Sequence, residues 1–344
     1  MSIVNVTGGV DTHSDTHVAA AVDHNGGVLG VEAFPAQRAG YQDLLGWLAA
    51  FGSLDRVGVE GTGSYGRGLA RFLLDSEVEV VEIDRPNRQV RRRRGKSDPV
   101  DAVAAARAAL SGSATGVPKH RNGPVEQMRV LLVARRSART QRIQTLNQLR
   151  HLVFTAPEPI RVRFKDRYQR GLVAEAARMR PRPGPDPVIY VTKLVIRNLA
   201  RRIQYLDSEI KDANQILIEL LESTAPGLLA LHGLGPDTAA SLLVSAGDNP
   251  ERLRSESAWA HLCGSAPIPA SSGKITRHRL NRGGDRNANS ALYRIVITRM
   301  SSHPETRDYV ARRRAQGRTT AEIIRCLKRY VARETYRHLP RPIT

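Results

Sequence analysis

The stretch "RRRRGKSDPVDAVAAAR", residues 91–107, decides how the first third of the chain is read. Asp98 and Asp101 stand three apart at the head of an alanine-rich run, so a helix opening at Asp98-Pro99 carries both on one face. Two carboxylates so placed repel each other unless a cation stands between them. Either Arg91, Arg92, Arg93 and Arg94 quench the pair, or a metal does, and Lys96 beside them is expected to bind nucleic acid. A plainer explanation also exists: Asp98 before Pro99 suits a helix N-cap, and Asp101 would then fall at N3, where an acid complements the helix dipole.

Upstream, "IVNVTGGVD", "HVAAAVD" and "GVLGVEAF" alternate as three strands, the last two joined by the turn "HNGG". A helix over "GYQDLLGWLAAF", a fourth strand "RVGVE", a helix after "GTGSYG" and a fifth strand "VEVVEID" follow. The order predicts a mixed sheet with helices on its faces. Asp11 closes the first strand and Glu60 the fourth, each behind a short apolar run. Both emerge where α/β sheets build their sites, at strand ends. If those strands are neighbours, four carboxylates meet at one edge, which is costly unless hard divalent cations occupy it. Oxygen-only ligands suit Mg²⁺, with Mn²⁺ as a substitute, and such ions serve phosphoryl transfer. His13 and His17 in "DTHSDTH" offer a competing ligand set. The turn between them points the rings apart, which leaves them as surface or packing residues.

Composition sets the class of partner. The 344 residues carry 53 Lys+Arg against 33 Asp+Glu, a formal charge of +20, so a polyanion, first of all nucleic acid, is expected. Aromatics make up only 5%, which disfavours single-strand binding by extended base stacking. No apolar stretch reaches the length of a spanning helix, and "MSIVNVTGGVD" lacks a charged n-region and signal core. A cytoplasmic, bacterial protein without a membrane partner, nucleoid-associated when active, is expected. Cys263 and Cys326 form neither a CxxC motif nor a disulfide framework.

After the linker "GSATGVPKHRNG", a long helix runs from about Pro124 to Phe154, "RPRPGPDP" breaks the pattern, and a second helix runs to about Glu222. In it Ile196, Leu199, Ile203, Leu206, Ile210, Ala213, Leu217 and Leu220 recur in a heptad seam, the mark of a coiled coil within or between chains, or of a bundle helix. "LLALHGLGPDTAASLL" reads as two short helices around a Gly-x-Gly turn, a helix-hairpin-helix-like segment whose amides could meet phosphate. Beyond "SESAWAHLCG" lies a basic loop, "SAPIPASSGKITRHRLNRGGDRNANS", and then two helices, 288–301 and about 319–338.

The order of elements and the placing of Asp11, Glu60, Asp98 and Asp101 resemble the RuvC-like branch of the ribonuclease H fold. "GVDTHSDTH", "VGVEGTGSYG" and "GKSDPVDAVAAAR" resemble the three conserved blocks of the DEDD insertion-sequence transposases, whose recombinases are guided by a bridge RNA. The resemblance implies that these four acids hold Mg²⁺ and that the arginines of 91–94 face nucleic acid. It also implies a nucleophilic serine before a glycine in the second domain. "HLCGSAPIPASSGK" places that step at Ser272-Gly273, with Ser271 as the neighbouring alternative. A serine needs a base, a metal or concentrated positive charge to attack phosphate; Lys274, Arg277, His278, Arg279 and Arg282 supply charge. Where family members carry paired arginines before "ALY", this chain has Asn289-Ser290.

Three domains are expected: a RuvC-like metal-binding domain 1–115, a helical linker and coiled coil 116–223, and a mainly helical serine-bearing domain 224–344. The function implied is RNA-guided DNA recombination by a dimer assembling into a tetramer. The alternative is a metal-only nuclease resembling a Holliday-junction resolvase.

Overall fold

A computed structural model of the chain describes residues 5–83, 97–165, 167–249, 252–271 and 278–340. It divides into two compact units, residues 1–121 and 122–344.

The first unit is a five-stranded sheet of order β3-β2-β1-β4-β5. Its strands are β1 (Asn5–Thr12), β2 (Thr16–Val22), β3 (Val28–Pro35), β4 (Ser53–Glu60) and β5 (Glu79–Ile83). The first three meander antiparallel, whereas β4 joins β1 in parallel and β5 follows β4 in parallel. Connections of that kind need crossovers. Helices α1 (Arg38–Ala49) and α2 (Arg67–Asp75) supply them, and α3 (Asp98–Leu110) follows β5. This mixed α/β architecture fits a RuvC-like acidic domain.

Strand alternation assigns the two faces. Val6, Val10, Val57 and Val59 pack against Leu44, Leu48, Leu69 and Leu73 of α1 and α2. The alternate positions Gly9 and Gly58 lie beneath α3. A Cβ on Gly9 would sit 2.1 Å from the Ala106 nitrogen and 2.4 Å from the Ala102 carbonyl oxygen, and one on Gly58 would sit 2.7 Å from the Ala105 oxygen. Helix α3 meets them with Ala102, Ala105, Ala106 and Ala109, all buried. Glycine opposite alanine therefore lets helix backbone lie on strand backbone.

On the α1 side His17 is fully buried and stacks on Tyr41, the rings 5.7 Å apart and nearly parallel. Burial holds its pKa below the ordinary 6.5, against a smaller opposing effect of the Thr16 backbone.

The second unit is helical: α4 (Pro124–Thr155), α5 (Glu158–Phe164), α6 (Gln169–Ala177), α7 (Pro187–Thr224), α8 (Pro226–Leu229), α9 (Pro236–Ala246), α10 (Glu256–Leu262), α11 (Arg286–Ser302), α12 (Pro304–Ala315) and α13 (Thr320–Tyr336), with a two-residue ribbon of β6 (Ile268–Pro269) and β7 (His278–Arg279). Helices α4 and α7 form an antiparallel hairpin. Arg135 donates to Asn214 at 2.6 Å and Arg142 pairs with Asp207, so partners advance on one helix as they recede on the other. The heptad seam is used within the chain: Ile196, Ile203, Leu206, Ala213 and Leu217 are buried, while Leu199, Ile210 and Leu220 are half-buried. One end of the hairpin packs with α5 and α6 through Leu149, Ile160, Phe164 and Ile203. The other packs through Met128, Leu132, Leu217 and Leu221 into the core around Trp259, Leu292 and Ile295.

Three helices differ from what periodicity predicts. α5 and α6 lie in a charge-dense stretch without a sustained apolar stripe. α12 buries only Thr306 and Val310 among its four arginines, so it shows no amphipathic period, and Pro304 opens it. The helix-hairpin-helix-like segment also differs: α8 is one turn, followed by a loop with Gly233 at φ 81° and then α9. The Gly235 amide donates to the Thr238 hydroxyl at 3.0 Å.

Gly9→Ala should force α3 off the sheet and cost about 3 kcal/mol, the scale of an overpacked core. Gly46→Ala, in the open on α1 with nothing within 4 Å, should stabilise by about 0.5–1 kcal/mol. Urea unfolding of both variants checks the contrast. For His17, the folded state resists a proton that the unfolded chain accepts. Its contribution is thus full above pH 6.5 and is lost progressively as pH falls from there through the lowered folded-state value. Between pH 7 and 5 the wild type should lose more stability than His17→Phe, measured by thermal unfolding; equal losses would refute the assignment.

Candidate metal centre and serine loop

The acids of the first unit are placed by the same register that seats α3. Asp11 follows Gly9 by two and Glu60 follows Gly58 by two, so each acid continues the face on which α3 lies. Val10 pairs with Val59, which sets Asp11 and Glu60 side by side at parallel strand ends. The Thr12 hydroxyl donates to the Glu60 carbonyl oxygen at 2.9 Å and ties those ends. Ala102 lies over Gly9. Four residues back along a helix is about 6 Å, and two residues forward along a strand is about 6.6 Å. Asp98 is thereby carried to Asp11.

The distances agree. His13 Nε2 lies 3.3 Å from Asp11 Oδ2 and 3.3 Å from Asp98 Oδ1. One donor atom from each of Asp11, His13 and Asp98 falls within 4.8 Å of the others. Asp11 and Asp101 are buried, at 6% and 4% exposure, and Glu60 is half-buried. Among the described residues the metal-type cluster contains Asp11 and Asp98 but neither Glu60 nor Asp101, which lie beside it on β4 and one turn into α3. Carboxylates grouped with one imidazole suit a divalent cation.

The helix start differs from the N-cap reading. Ser97 is the N-cap, its side chain makes no capping hydrogen bond, and Asp98 is the first helical residue. The Asp98 carboxylate lies 3.3 Å from His13 Nε2. The two histidines part as expected, yet only His17 becomes a packing residue. His13 joins the acids, and the one available signal was its spacing of two from Asp11. Arg91, Arg92, Arg93, Arg94 and Lys96 lie outside the described residues, as do Ser272, Lys274 and Arg277.

In the second unit β6 and β7 pair as a short antiparallel ribbon. Ile268 pairs with Arg279 and Pro269 with His278. His278, Arg279, Arg282 and Ser271 are exposed. Its base is fastened by polar groups. Asn281 donates to the His261 carbonyl at 3.0 Å, the Asp285 amide donates to Leu262 at 2.6 Å, and Asn289 donates to the carbonyls of Cys263 at 2.8 Å and Gly264 at 3.1 Å. Lys328 donates to Asn289 Oδ1 at 2.6 Å. Burial lowers the Lys328 pKa and raises that of the Cys263 thiol, which is an inert packing group here. Asn289, the departure noted before "ALY", is therefore a brace for the hairpin. Asp285 caps α11 through the amides of Asn287 and Ala288.

Asp237, in the first turn of α9, gathers Arg135 and Arg294. Burial pushes its pKa up, but the hydrogen bond and charge of Arg294, with Arg135 and Arg136, hold the carboxyl below its usual range.

Comparison with known proteins places both units. A DEDD family model of the IS110 group, described as transposase, matches residues 8–156, and a model described as transposase IS116/IS110/IS902 family matches residues 225–311. The chain is 28% identical over 138 residues to the insertion element IS900 uncharacterized 42 kDa protein of Mycobacterium paratuberculosis, covering 39% of this chain and 35% of that protein. It is 30% identical over 139 residues to the insertion element IS110 uncharacterized 43.6 kDa protein of Streptomyces coelicolor, covering 40% and 34%. These matches thus span about a third of each relative. The acidic family model implies use of a divalent metal. Matched on its acidic unit and on the unit with the serine hairpin by models of one group, the chain belongs to the IS110-type DEDD transposase family.

Proposed function

We propose that the protein is a transposase that recombines DNA under the guidance of a bridge RNA. The observation that carries this reading is the meeting of Asp11 and Asp98, far apart in sequence, at the strand end of a sheet in a chain of net charge +20. Asp11, Glu60, Asp98 and Asp101 would hold a divalent cation, Mg²⁺ with Mn²⁺ as substitute. When bound, it supplies charge neutralisation and polarisation of a DNA phosphate. The strand ends orient Asp11 and Glu60, and the first turn of α3 brings Asp98 and Asp101 to them.

In this reading Ser272, with Ser271 as the alternative, attacks a DNA phosphodiester. The Oγ–P bond forms as one P–O bond to a sugar breaks. The serine loses its proton and the departing sugar oxygen gains one, leaving a hydroxyl end and a phosphoserine link. The number of phosphodiester bonds is conserved, so rejoining to another strand needs no external energy source. Lys274, Arg277, Arg279 and Arg282 concentrate positive charge around the serine, while Arg91 to Arg94 and Lys96 meet nucleic acid. Base pairing with the RNA chooses the sequence, and the protein reads backbone and shape.

The division expected from the sequence, metal domain 1–115, helical linker 116–223 and serine domain 224–344, belongs to this reading. So does an active site shared between subunits of a tetramer built from dimers. The α4–α7 hairpin leaves Val130, Val133, Ile143, Val191 and Tyr205 exposed, which supports a role in pairing copies.

The test is to incubate protein, RNA and DNA with Mg²⁺, denature, and look for protein attached to DNA. Attachment should vanish with Ser272→Ala, persist with Ser271→Ala, and fall at least 100-fold with Asp11→Asn. Cleavage at the normal rate by a double Ser271→Ala/Ser272→Ala variant would instead establish the water-driven, resolvase-like alternative.

A further inference from the structure

Resting on the metal reading above, we propose that His13 is itself a ligand, through Nε2, and that it converts an all-oxygen site into a mixed imidazole–carboxylate site that takes Mn²⁺ ahead of Mg²⁺. His13 is not one of the four acids by which the family is recognised.

Three observations support it. Nε2 is shielded from solvent and forms no hydrogen bond, although a carboxylate oxygen lies 3.3 Å away on either side. That separation exceeds the 2.7–3.2 Å of N–H···O bonds, roughly the span found in proteins. It matches co-ligands instead: bonds of about 2.1 Å put neighbouring donor atoms ~3.0 Å apart in octahedral and ~3.4 Å apart in tetrahedral coordination.

Second, the backbone that carries the ring is held in place. The His13 amide donates to the Thr16 carbonyl at 3.1 Å, closing the β1–β2 turn directly beyond the strand that carries Asp11. His13 thus comes from a hydrogen-bonded turn and Asp98 from the first turn of α3, so two separate elements converge on Asp11. Third, chemistry sets the preference. Imidazole nitrogen adds affinity for first-row transition cations and little for Mg²⁺, which keeps to oxygen. The competing role for the ring is a protonated counter-ion that lies between the carboxylates with no metal bond at all.

Pulsed electron spin echo of Mn²⁺ bound to the full-length protein separates the two, because a directly bound imidazole modulates the echo at nitrogen frequencies. The wild type should show that modulation. His13→Ala and His13→Asn should lose it while still binding Mn²⁺, and Mn²⁺ affinity should fall about tenfold or more relative to Mg²⁺ in competition. Bound Mn²⁺ without nitrogen modulation, or modulation that persists in both variants, would overturn the role of His13 and leave the acidic centre standing. Failure of the wild type to bind Mn²⁺ would overturn the metal reading and this inference together.

Discussion

Helix α3 touches β1 and β4 backbone to backbone, and the acidic centre depends on that contact. Gly9 and Gly58 have no side chain to hold the helix away, and the helix presents alanines. Larger residues would bury more area but would lift the helix by ångströms, and with it Asp98. Close approach has an electrostatic cost. Two carboxylates about 4 Å apart repel by about 4 kcal/mol at an effective dielectric of 20. The benefit of an acid at a helix N-terminus is only about 0.3–1 kcal/mol, so the dipole does not offset the repulsion. A positive charge between the carboxylates does. The oxygens gathered there make the place suited to a divalent cation.

The second unit solves a different problem, that of holding a short, polar hairpin on a helical platform. A two-residue ribbon has no stability of its own. Asn281, Asp285 and Asn289 replace the missing ladder with bonds to the end of α10 and the start of α11, and Lys328 braces Asn289 from α13. Beneath them Trp259, fully buried, donates its indole N–H to Thr335 at 3.2 Å. Arg299 bridges the His232 carbonyl at 2.7 Å and Glu334 at 2.6 Å, so α11 and α13 are joined by polar as well as apolar contacts. The β6–β7 ribbon thus has an anchored base.

Much of the first unit was legible because its strands alternate strictly and its acids fall immediately behind apolar runs. Asp11, Glu60 and the order of elements could be read that way, and Asp98 from the helix start at Asp98-Pro99. The closeness of α3 could not be derived from periodicity, since alanines at 102, 105, 106 and 109 look like any weakly amphipathic helix. His13 was set aside because a histidine in a turn is ordinarily a surface residue; only the position of α3 reveals what faces it. In the second unit the long heptads predicted α7, but whether its partner was another copy or another segment depended on α4, whose own apolar positions are diluted by arginines. Helices α5, α6 and α12 owe their existence to tertiary contacts, and α5 and α12 also to prolines at their starts, more than to a stripe. Asn289 looked like a loss of positive charge, and its bracing role depends on Lys328, 39 positions later.

The central claim is that acids distant in the chain are folded by one helix–sheet contact into a single cation site. Anomalous diffraction from crystals grown with Mn²⁺ tests it most directly. The account predicts a peak about 2.1 Å from carboxylate oxygens of both Asp11 and Asp98, beneath the first turn of α3. A peak elsewhere, or Asp11 and Asp98 turned apart with no metal between them, would contradict it.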